Sequence, residues 1–217
     1  MSSDAAGFIR ANTAIEAPPL VPEICLHLAS EVTPLWHATE ATLEKTQLPP
    51  PYWAFAWAGG QALARYILDH PETVRDKTVL DFGAGSGLVA IAAMKAGARA
   101  ATAAEIDDFA AAAIGLNAAL NHVTVTVECA DVIGRHPAPW DAVLVGDMCY
   151  ERPLAERLTA WLRALARDGV TVLLGDPGRT YLPKEGLDPI ARYAVPTPLD
   201  LEDRTEREGV VWRLAPG

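Results

Sequence analysis

The chain has 217 residues, 50% of them hydrophobic, and a formal net charge of −10. This size and apolar content suffice for one α/β domain with a filled core. The acidic balance argues against a broad phosphate-binding surface, because nucleic-acid affinity depends on clustered lysine and arginine. A basic protein partner is easier to reconcile with this charge.

The positions of the cysteines and histidines, together with the hydropathy, exclude several further classes of protein. The five histidines fall in no metal-ligand spacing, so no metal is expected. No stretch reaches the roughly 18 apolar residues of a membrane span, and the first residues lack the character of a targeting segment. We therefore expect a cytoplasmic monomer that binds neither membrane nor nucleic acid. The cysteines are odd in number, widely separated and outside any Cys-x-x-Cys pair, which predicts neither disulfides nor a zinc site: Cys25, Cys129 and Cys149.

The first fifty residues are rich in proline and predict an N-terminal cap over 1–50, packed on a domain over 51–217. Apolar positions in the middle of 23–31 predict a short helix within this cap. A second helix is predicted over 60–69, where the apolar residues have helical spacing and a His-Pro pair follows.

From residue 78 onward, apolar runs typical of strands alternate with helical patterns. The predicted strands are 78–83, 100–105, 123–127, 142–146 and 170–174, and the predicted helices are 87–96, 107 or 108 to 121, and 153–167. This alternation implies a parallel sheet with helices on both faces. Two late strands, 193–199 and 210–214, predict an antiparallel edge hairpin and bring the count to seven.

A glycine-rich turn follows the first of these strands. Its glycines are spaced by single residues: Gly83, Gly85 and Gly87. Glycine tolerates positive φ and lets backbone N–H groups approach a nucleoside cofactor. A dinucleotide fingerprint would read Gly-x-Gly-x-x-Gly, but Leu88 stands where its third glycine belongs. The Asp-x-Gly-x-Gly-x-Gly spacing, which begins at Asp81, instead resembles the first motif of class I methyltransferases that use S-adenosylmethionine.

Acidic residues follow the next two strands, at the edge where ligands of open parallel sheets lie. Glu105 is expected to bind both ribose hydroxyls, and Asp131 is expected to accept from the adenine amino group. Taken alone, each of these acidic residues is well explained as a helix cap or as an exposed loop residue. Together around a glycine turn they predict a cofactor site, and an acidic rim suits a sulfonium cation. The predicted cofactor-binding residues are Trp57, Asp81, Gly83, Ala84, Gly85, Gly87, Glu105, Ile106 and Asp131.

The fourth strand ends in Asp147-Met-Cys-Tyr150, an Asp-x-x-Tyr sequence. It resembles the motif of a seven-strand methyltransferase family that modifies lysines on individual proteins. Segments 50–60 and 175–183 are similar to those of one branch, the electron transfer flavoprotein β-subunit lysine methyltransferases. The resemblance runs from about residue 21 onward. It implies a Rossmann-like class I fold, S-adenosylmethionine as cofactor, and the flavoprotein β subunit as protein substrate. Animal members are mitochondrial, whereas the first residues of this chain do not have the pattern of a transit peptide. The chain is therefore expected to be similar to a bacterial, cytosolic member.

The resemblance implies catalytic roles for Asp147 and Tyr150. Lysine has a pKa near ~10.4, so at about pH 7.4 its neutral form is scarce by ~10³, or roughly 4 kcal/mol. Asp147 is expected to orient the amine through a hydrogen bond and to stabilise the positive charge that develops on nitrogen. Tyr150 and Trp57 offer aromatic rings to the methylated nitrogen, although each ring also suits ordinary packing.

The sequence is also compatible with other methyl acceptors. A related methyltransferase would act on a ribosomal or other protein, or on a small amine, and a non-catalytic adapter would bind the cofactor alone. The Asp-Met-Cys-Tyr sequence differs from the Asn-Pro-Pro-Tyr type of signature that one kind of ribosomal-protein enzyme shows. Arg179, after the fifth strand, either holds an acidic partner or is solvated.

Overall fold

The computed structural model describes residues 5–30, 50–196 and 205–216. Its helices are α1 (Ala5–Asn12), α2 (Ala58–Asp69), α3 (Leu88–Lys95), α4 (Asp108–Leu120) and α5 (Arg152–Arg167). Its strands are β1 (Ala14–Glu16), β2 (Leu26–Leu28), β3 (Thr78–Phe82), β4 (Ala100–Glu105), β5 (Thr126–Cys129), β6 (Ala142–Gly146), β7 (Thr171–Asp176), β8 (Leu187–Pro196) and β9 (Glu206–Leu214). One-turn 3₁₀ helices lie at Tyr52–Ala54 and Pro71–Thr73.

Seven strands form the central sheet, in the order β5-β4-β3-β6-β7-β9-β8. Strands β3 to β7 are mutually parallel, and β9 runs antiparallel to both β7 and β8. The predicted seven-strand α/β sheet with an antiparallel edge hairpin is confirmed. The winding reverses between β3 and β6, so a crevice forms at the carboxyl ends of these two strands.

The sheet is covered on both faces, as the alternation predicted. Successive side chains of a strand point to opposite faces. One set packs with α2 and α3: Val79, Leu144, Leu173 and Val211. The other set packs with α5: Leu80, Val143, Val145 and Val172. Because both faces are buried, these strands are nearly continuous apolar runs rather than alternating ones.

The N-terminal segment packs on α4 through helix α1 and the β1–β2 hairpin. Asn121 holds the hairpin by donating to the Cys25 carbonyl at 2.6 Å. Buried Asn117 accepts from the His27 amide at 2.8 Å and donates to the Ser86 carbonyl at 2.8 Å. Since Ser86 belongs to the glycine turn, this asparagine connects the N-terminal hairpin to the predicted cofactor turn.

Four predicted elements differ from the structure. The two late strands begin earlier than predicted, at Leu187 and Glu206. The helix predicted over 23–31 is wrong: Leu26 and Leu28 are buried on either side of a less buried residue, which is the period of strand β2. Residue 31 lies outside the described residues, as do 197–199 of a predicted late strand. The strand predicted over 123–127 begins only at Thr126, because the Val123 amide donates to the Ala118 carbonyl and closes α4.

No helix within the described residues combines the length and apolar character needed to cross a membrane.

Candidate active site

A cavity of about 470 Å³ opens at the carboxyl edge of the sheet, where the winding reverses. This volume lies in the range of small-molecule sites. The ends of β3, β4 and β6 meet there with the segment before α2 and the loops after β5 and β7. Eight of the predicted site residues line the cavity: Trp57, Gly83, Gly85, Glu105, Ile106, Asp131, Asp147 and Tyr150.

The other three predicted residues, Asp81, Ala84 and Gly87, lie behind the cavity wall. Buried Asp81 accepts from the Ala90 amide at 2.9 Å, in the first turn of α3. Gly87 is the N-cap of that helix, with a φ of 79°. Asp81 therefore fixes the glycine turn onto α3 from below, and burial raises its pKa to about 7.

We expect Asp81→Asn to remove a pH-dependent loss of stability. The carboxyl ionises near pH ~3.9 in the unfolded chain and at about pH 7 in the folded one, so the wild-type protein loses stability as the pH rises between these values. The difference in the free energy of unfolding between the variant and wild type should therefore change in favour of the variant by up to roughly 4 kcal/mol from pH 4 to above pH 7. Urea unfolding of the ligand-free protein across this range measures the effect. Asp131→Asn, at an exposed carboxylate whose pKa Arg157 lowers, is the matched control and should not reproduce it.

Glu105 stabilises the glycine turn directly. Its Oε2 accepts from the Gly85 amide at 3.0 Å, and its Oε1 accepts from the Ile106 amide at 2.8 Å. Oε1 also accepts from the Asp107 amide at 3.4 Å, so the acceptor capacity that remains for a ligand hydroxyl lies on Oε2. Among the described residues, the nearest atom that a side chain at Gly85 would meet is Trp53 Cα, 3.8 Å away. Gly85 is thus needed for its φ of 51° and for its open approach to the cavity.

Asp131 lies at the far end of the cavity and is exposed. Its Oδ1 accepts from the Ile133 amide at 2.9 Å, and its Oδ2 pairs with Arg157 at 2.8 Å. These partners orient the carboxylate, and the ion pair lowers its pKa. The structure therefore brings Glu105 and Asp131 to one cavity, as the sequence predicted.

Asp147 lines the opposite end of the cavity and is 8% exposed. Its φ of 59° is left-handed, a conformation that few residues other than glycine, asparagine and aspartate adopt. Its Oδ2 accepts from the Gly60 amide at 2.6 Å, in the first turn of α2, and its Oδ1 accepts from Arg179 at 2.8 Å. Burial raises the pKa of Asp147, while Arg179 and the helix amides oppose that rise.

Aromatic residues form the rim of the cavity beside Asp147. The Tyr52 ring lies 6.1 Å from the Trp57 ring and 6.0 Å from the Tyr150 ring, measured between centroids. Trp57 Nε1 donates to the Tyr52 carbonyl at 2.9 Å, which fixes the indole. Tyr52 and Tyr150 are 53% and 45% exposed, so both rings are available to an incoming side chain. Sequence analysis missed Tyr52, although it lies inside the aromatic segment 50–60.

Arg179 is the other residue whose place the sequence left open. It pairs with Asp147, and its guanidinium lies 5.7 Å from the Trp57 ring centroid. Asp176, at the end of β7, holds the loop by accepting from the Gly178 and Arg179 amides, both at 2.7 Å. Burial raises the pKa of Asp176 to about 6. Because β6 and β7 are neighbours, the residues that follow them meet at one edge.

The cavity fits S-adenosylmethionine by the chemistry of its lining. Carboxylates stand at two strand ends, the Gly85 backbone is open to the cavity, and Ile106 adds an exposed apolar surface. Glu105 and Asp131 would hold the hydroxyls and the base, as in other nucleoside sites of open α/β sheets. The acidic lining also suits a cationic sulfonium.

Comparison with known proteins agrees with this reading. A family model described as ribosomal protein L11 methyltransferase (PrmA) matches residues 61–151. The chain is 38% identical over 218 residues to the electron transfer flavoprotein beta subunit lysine methyltransferase of Xenopus laevis, covering 96% of this chain and 86% of that one. It is 39% identical over 217 residues to the protein of that name from Danio rerio, covering 97% and 83%.

A solved structure shares the fold. The magnesium protoporphyrin IX methyltransferase (ChlM) from Synechocystis PCC 6803, with bound S-adenosylmethionine, superposes with a TM-score of 0.51 at 18% identity, over 70% of this chain and 76% of that one. Strand order, glycine turn and cavity position together define a class I, S-adenosylmethionine-dependent methyltransferase. The identities over nearly the whole length are more specific. The chain belongs to the electron transfer flavoprotein β-subunit lysine methyltransferase family.

Proposed function

We propose that the chain methylates lysine side chains of the electron transfer flavoprotein β subunit. The observation that carries this proposal is the aromatic rim beside Asp147, in a chain whose relatives of 38% and 39% identity bear that name. A lysine has a long aliphatic stem with a polar end, and such a side chain packs against aromatic rings along its length. The rim therefore suits a lysine that enters toward Asp147.

S-Adenosylmethionine would supply an electrophilic methyl group, to which a neutral amine forms a C–N bond while the C–S bond breaks with its electrons left on sulfur. Glu105, Asp131 and the Gly85 backbone would hold it. Positioning of the two partners supplies much of the rate in such a displacement. The proton of the methylated amine then leaves to solvent.

Asp147 has the geometry to orient the amine. Arg179 donates to Oδ1 through both Nε and Nη2, and the Gly60 amide donates to Oδ2, so the carboxylate is held rigidly and its remaining acceptor capacity lies on Oδ2. A hydrogen bond from the amine to Asp147 directs the nitrogen lone pair and stabilises the charge that develops on nitrogen. The rings of Tyr52, Trp57 and Tyr150 line the same end of the cavity and would exclude water around the amine once the substrate is bound.

A ribosomal protein is the second candidate substrate, because the L11 methyltransferase model matches residues 61–151. That range contains the glycine turn, Glu105, Asp131 and Asp147. It leaves out Trp57 and Arg179, which line the acceptor end of the cavity. The L11 likeness therefore covers the cofactor side and, at the acceptor end, Asp147 and Tyr150, but not the aromatic segment or Arg179. The near full-length likeness to the flavoprotein enzymes favours the flavoprotein as substrate.

Radiolabelled S-adenosylmethionine tests these alternatives. The purified protein is incubated separately with recombinant electron transfer flavoprotein, with ribosomes, and with n-butylamine, and Asp147→Asn serves as the negative control. Label on a lysine of the flavoprotein β subunit, located by mass spectrometry, is the expected result. Label on a ribosomal protein or on butylamine alone would replace the proposed substrate, and cofactor binding without any transfer would indicate a non-catalytic adapter.

A further inference from the structure

We infer that Arg179 is a positioning residue that compensates the charge of Asp147, so that the acceptor pocket favours the neutral amine of lysine over its ammonium form. The inference rests on the proposed function and goes beyond it, because it assigns a role to a residue outside the predicted site. It addresses the central difficulty of the reaction, since only the neutral amine has a free lone pair.

The geometry shows that the carboxylate is compensated from two directions. Arg179 Nη2 lies 2.8 Å and Nε 3.3 Å from Asp147 Oδ1. The Gly60 amide, at the positive end of the α2 dipole, lies 2.6 Å from Oδ2. The Asp147 side chain is 8% exposed and that of Arg179 is 22% exposed, so water screens this pair only weakly.

The position of Arg179 is itself fixed by neighbouring groups. Its backbone amide donates to Asp176, and its guanidinium lies over the Trp57 ring. Both Arg179 and Asp147 line the same end of the cavity. A lysine amine that reaches Asp147 therefore enters a pocket that already holds a partly buried cation.

The consequence follows from simple electrostatics. A nearby opposite charge shifts a pKa toward the charged form by about 1 to 3 units. An uncompensated carboxylate would thus stabilise the ammonium and make the reactive amine scarcer. A paired carboxylate still accepts a hydrogen bond but exerts a much smaller field. Arg179 therefore leaves Asp147 as a hydrogen-bond acceptor rather than a counter-ion.

Other ionisable groups face the same region, and all of them are present in each variant that is tested below. Asp176 and the Cys149 thiol lie close to Asp147 on β7 and after β6, and both have raised pKa values because of burial. The cavity wall adds Tyr52, Glu105, Asp107, Asp131, Tyr150 and Arg157, and Glu151 lies beside Tyr150. None of these groups is altered in the test variants, so differences among the variants report the Arg179–Asp147 pair.

The first test uses ligand-free protein and no substrate. Arg179→Met leaves Asp147 buried without its counter-ion, so the folded state resists ionisation and its melting temperature falls as the pH rises from 5 to 8 more than that of wild type. Arg179 also lowers the pKa of Asp176, so each protein with Arg179→Met is compared with its own parent. In the Asp147→Asn background the additional fall caused by Arg179→Met should be much smaller than in the wild-type background. An equal fall in both backgrounds would overturn the pairing.

The second test measures kcat against pH at saturating flavoprotein β subunit and S-adenosylmethionine, because kcat reports pKa values in the enzyme–substrate complex, where the lysine is bound. For Arg179→Met we expect a profile displaced to alkaline pH by about one unit or more, with activity recovering toward wild type at high pH. Arg179→Lys retains the charge and should retain the wild-type profile. A loss of equal size at every pH would show a merely structural role and overturn the inference.

Arg152→Met is the matched control. Arg152 lies on the outer surface near the site, with its guanidinium 5.5 Å from the Tyr181 ring centroid, and it does not line the cavity. Its loss removes one positive charge without touching Asp147, so the profile should stay unchanged. An equal displacement in this control would assign the effect to net charge. A wild-type enzyme that leaves the flavoprotein unmodified would contradict the proposed substrate alone, since the melting experiment tests the pair without it.

Discussion

Asp147→Asn is expected to lower kcat by about two to three orders of magnitude while S-adenosylmethionine affinity stays within about threefold, because loss of one preorganised electrostatic partner typically has an effect of this size. Asp147 lies at the acceptor end of the cavity, away from Asp131. Its removal should therefore affect transfer rather than cofactor binding. Single-turnover kinetics and calorimetry measure the two quantities separately.

Asparagine is the more informative replacement because of the backbone at this position. The φ of 59° is tolerated by asparagine, whereas most other residues lose roughly 1–2 kcal/mol there. Asparagine also keeps an oxygen that accepts from the Gly60 amide. Asp147→Ala combines backbone strain, the loss of the Arg179–Asp147 ion pair and the lost acceptor, so it should be less stable as well as inactive. The difference between the two variants separates chemistry from folding.

Cys149→Ala is the control for Asp147→Asn. Cys149 lies two residues further along and is buried against the α5 side of the sheet, away from the cavity lining. This variant should lose some stability through packing but keep kcat within about threefold. Normal turnover by Asp147→Asn would show that another group orients the amine.

Strands β4 and β6 and the helices packed on the sheet were the most predictable parts of the fold. The limits predicted for 100–105 and 142–146 coincide with β4 and β6, because runs buried on both faces leave a strong signal between polar ends. Helices α2 to α5 were each predicted to within about two residues. Local periodicity and capping residues, such as Asp107 before α4, determine these elements.

Elements whose conformation depends on distant partners were less predictable. The hairpin strand β2 was predicted as a helix because apolar residues at 24, 26 and 28 fit either pattern in so short a stretch. Its conformation is set by Asn117 of α4 and by Asn121, which caps that helix. Roughly ninety residues later in the chain, they bond to the backbone of His27 in the strand and of Cys25 just before it. The spacing of residues within a short segment does not predict such long-range contacts.

The candidate site likewise has residues that the sequence predicted and others that depend on distant parts of the chain. Residues on consecutive strand ends, such as Glu105 and Asp131, were found because topology alone brings them together. The Arg179–Asp147 pair depends on which strands are neighbours in the sheet and on where a loop places one side chain. The role of Asp81 also changed: it follows the expected motif, but the fold places it under the turn rather than in the cavity.

Glu105→Gln is expected to weaken S-adenosylmethionine binding about 10- to 100-fold, because hydrogen bonds to a charged acceptor contribute about 1.5–3 kcal/mol. The carboxylate accepts from the Gly85 and Ile106 amides with both oxygens. Glutamine keeps one acceptor but turns its NH₂ group toward an amide donor. The variant therefore loosens the glycine turn and loses an acceptor for the ribose hydroxyls together. Calorimetry on wild type and variant gives the dissociation constants.

A comparison of two ligands identifies the cause of that loss. S-Adenosylhomocysteine has the same ribose and adenine but a neutral sulfur. If Glu105 acts through hydroxyl hydrogen bonds and the turn, the variant should lose affinity for both ligands by the same factor. If it acts by attracting the sulfonium, the loss should be larger for S-adenosylmethionine. Asp108→Asn removes one exposed acidic charge close to the same rim, and it should change neither affinity by more than about twofold. Wild-type affinity of Glu105→Gln for both ligands would contradict the cofactor cradle built on Gly85 and Glu105.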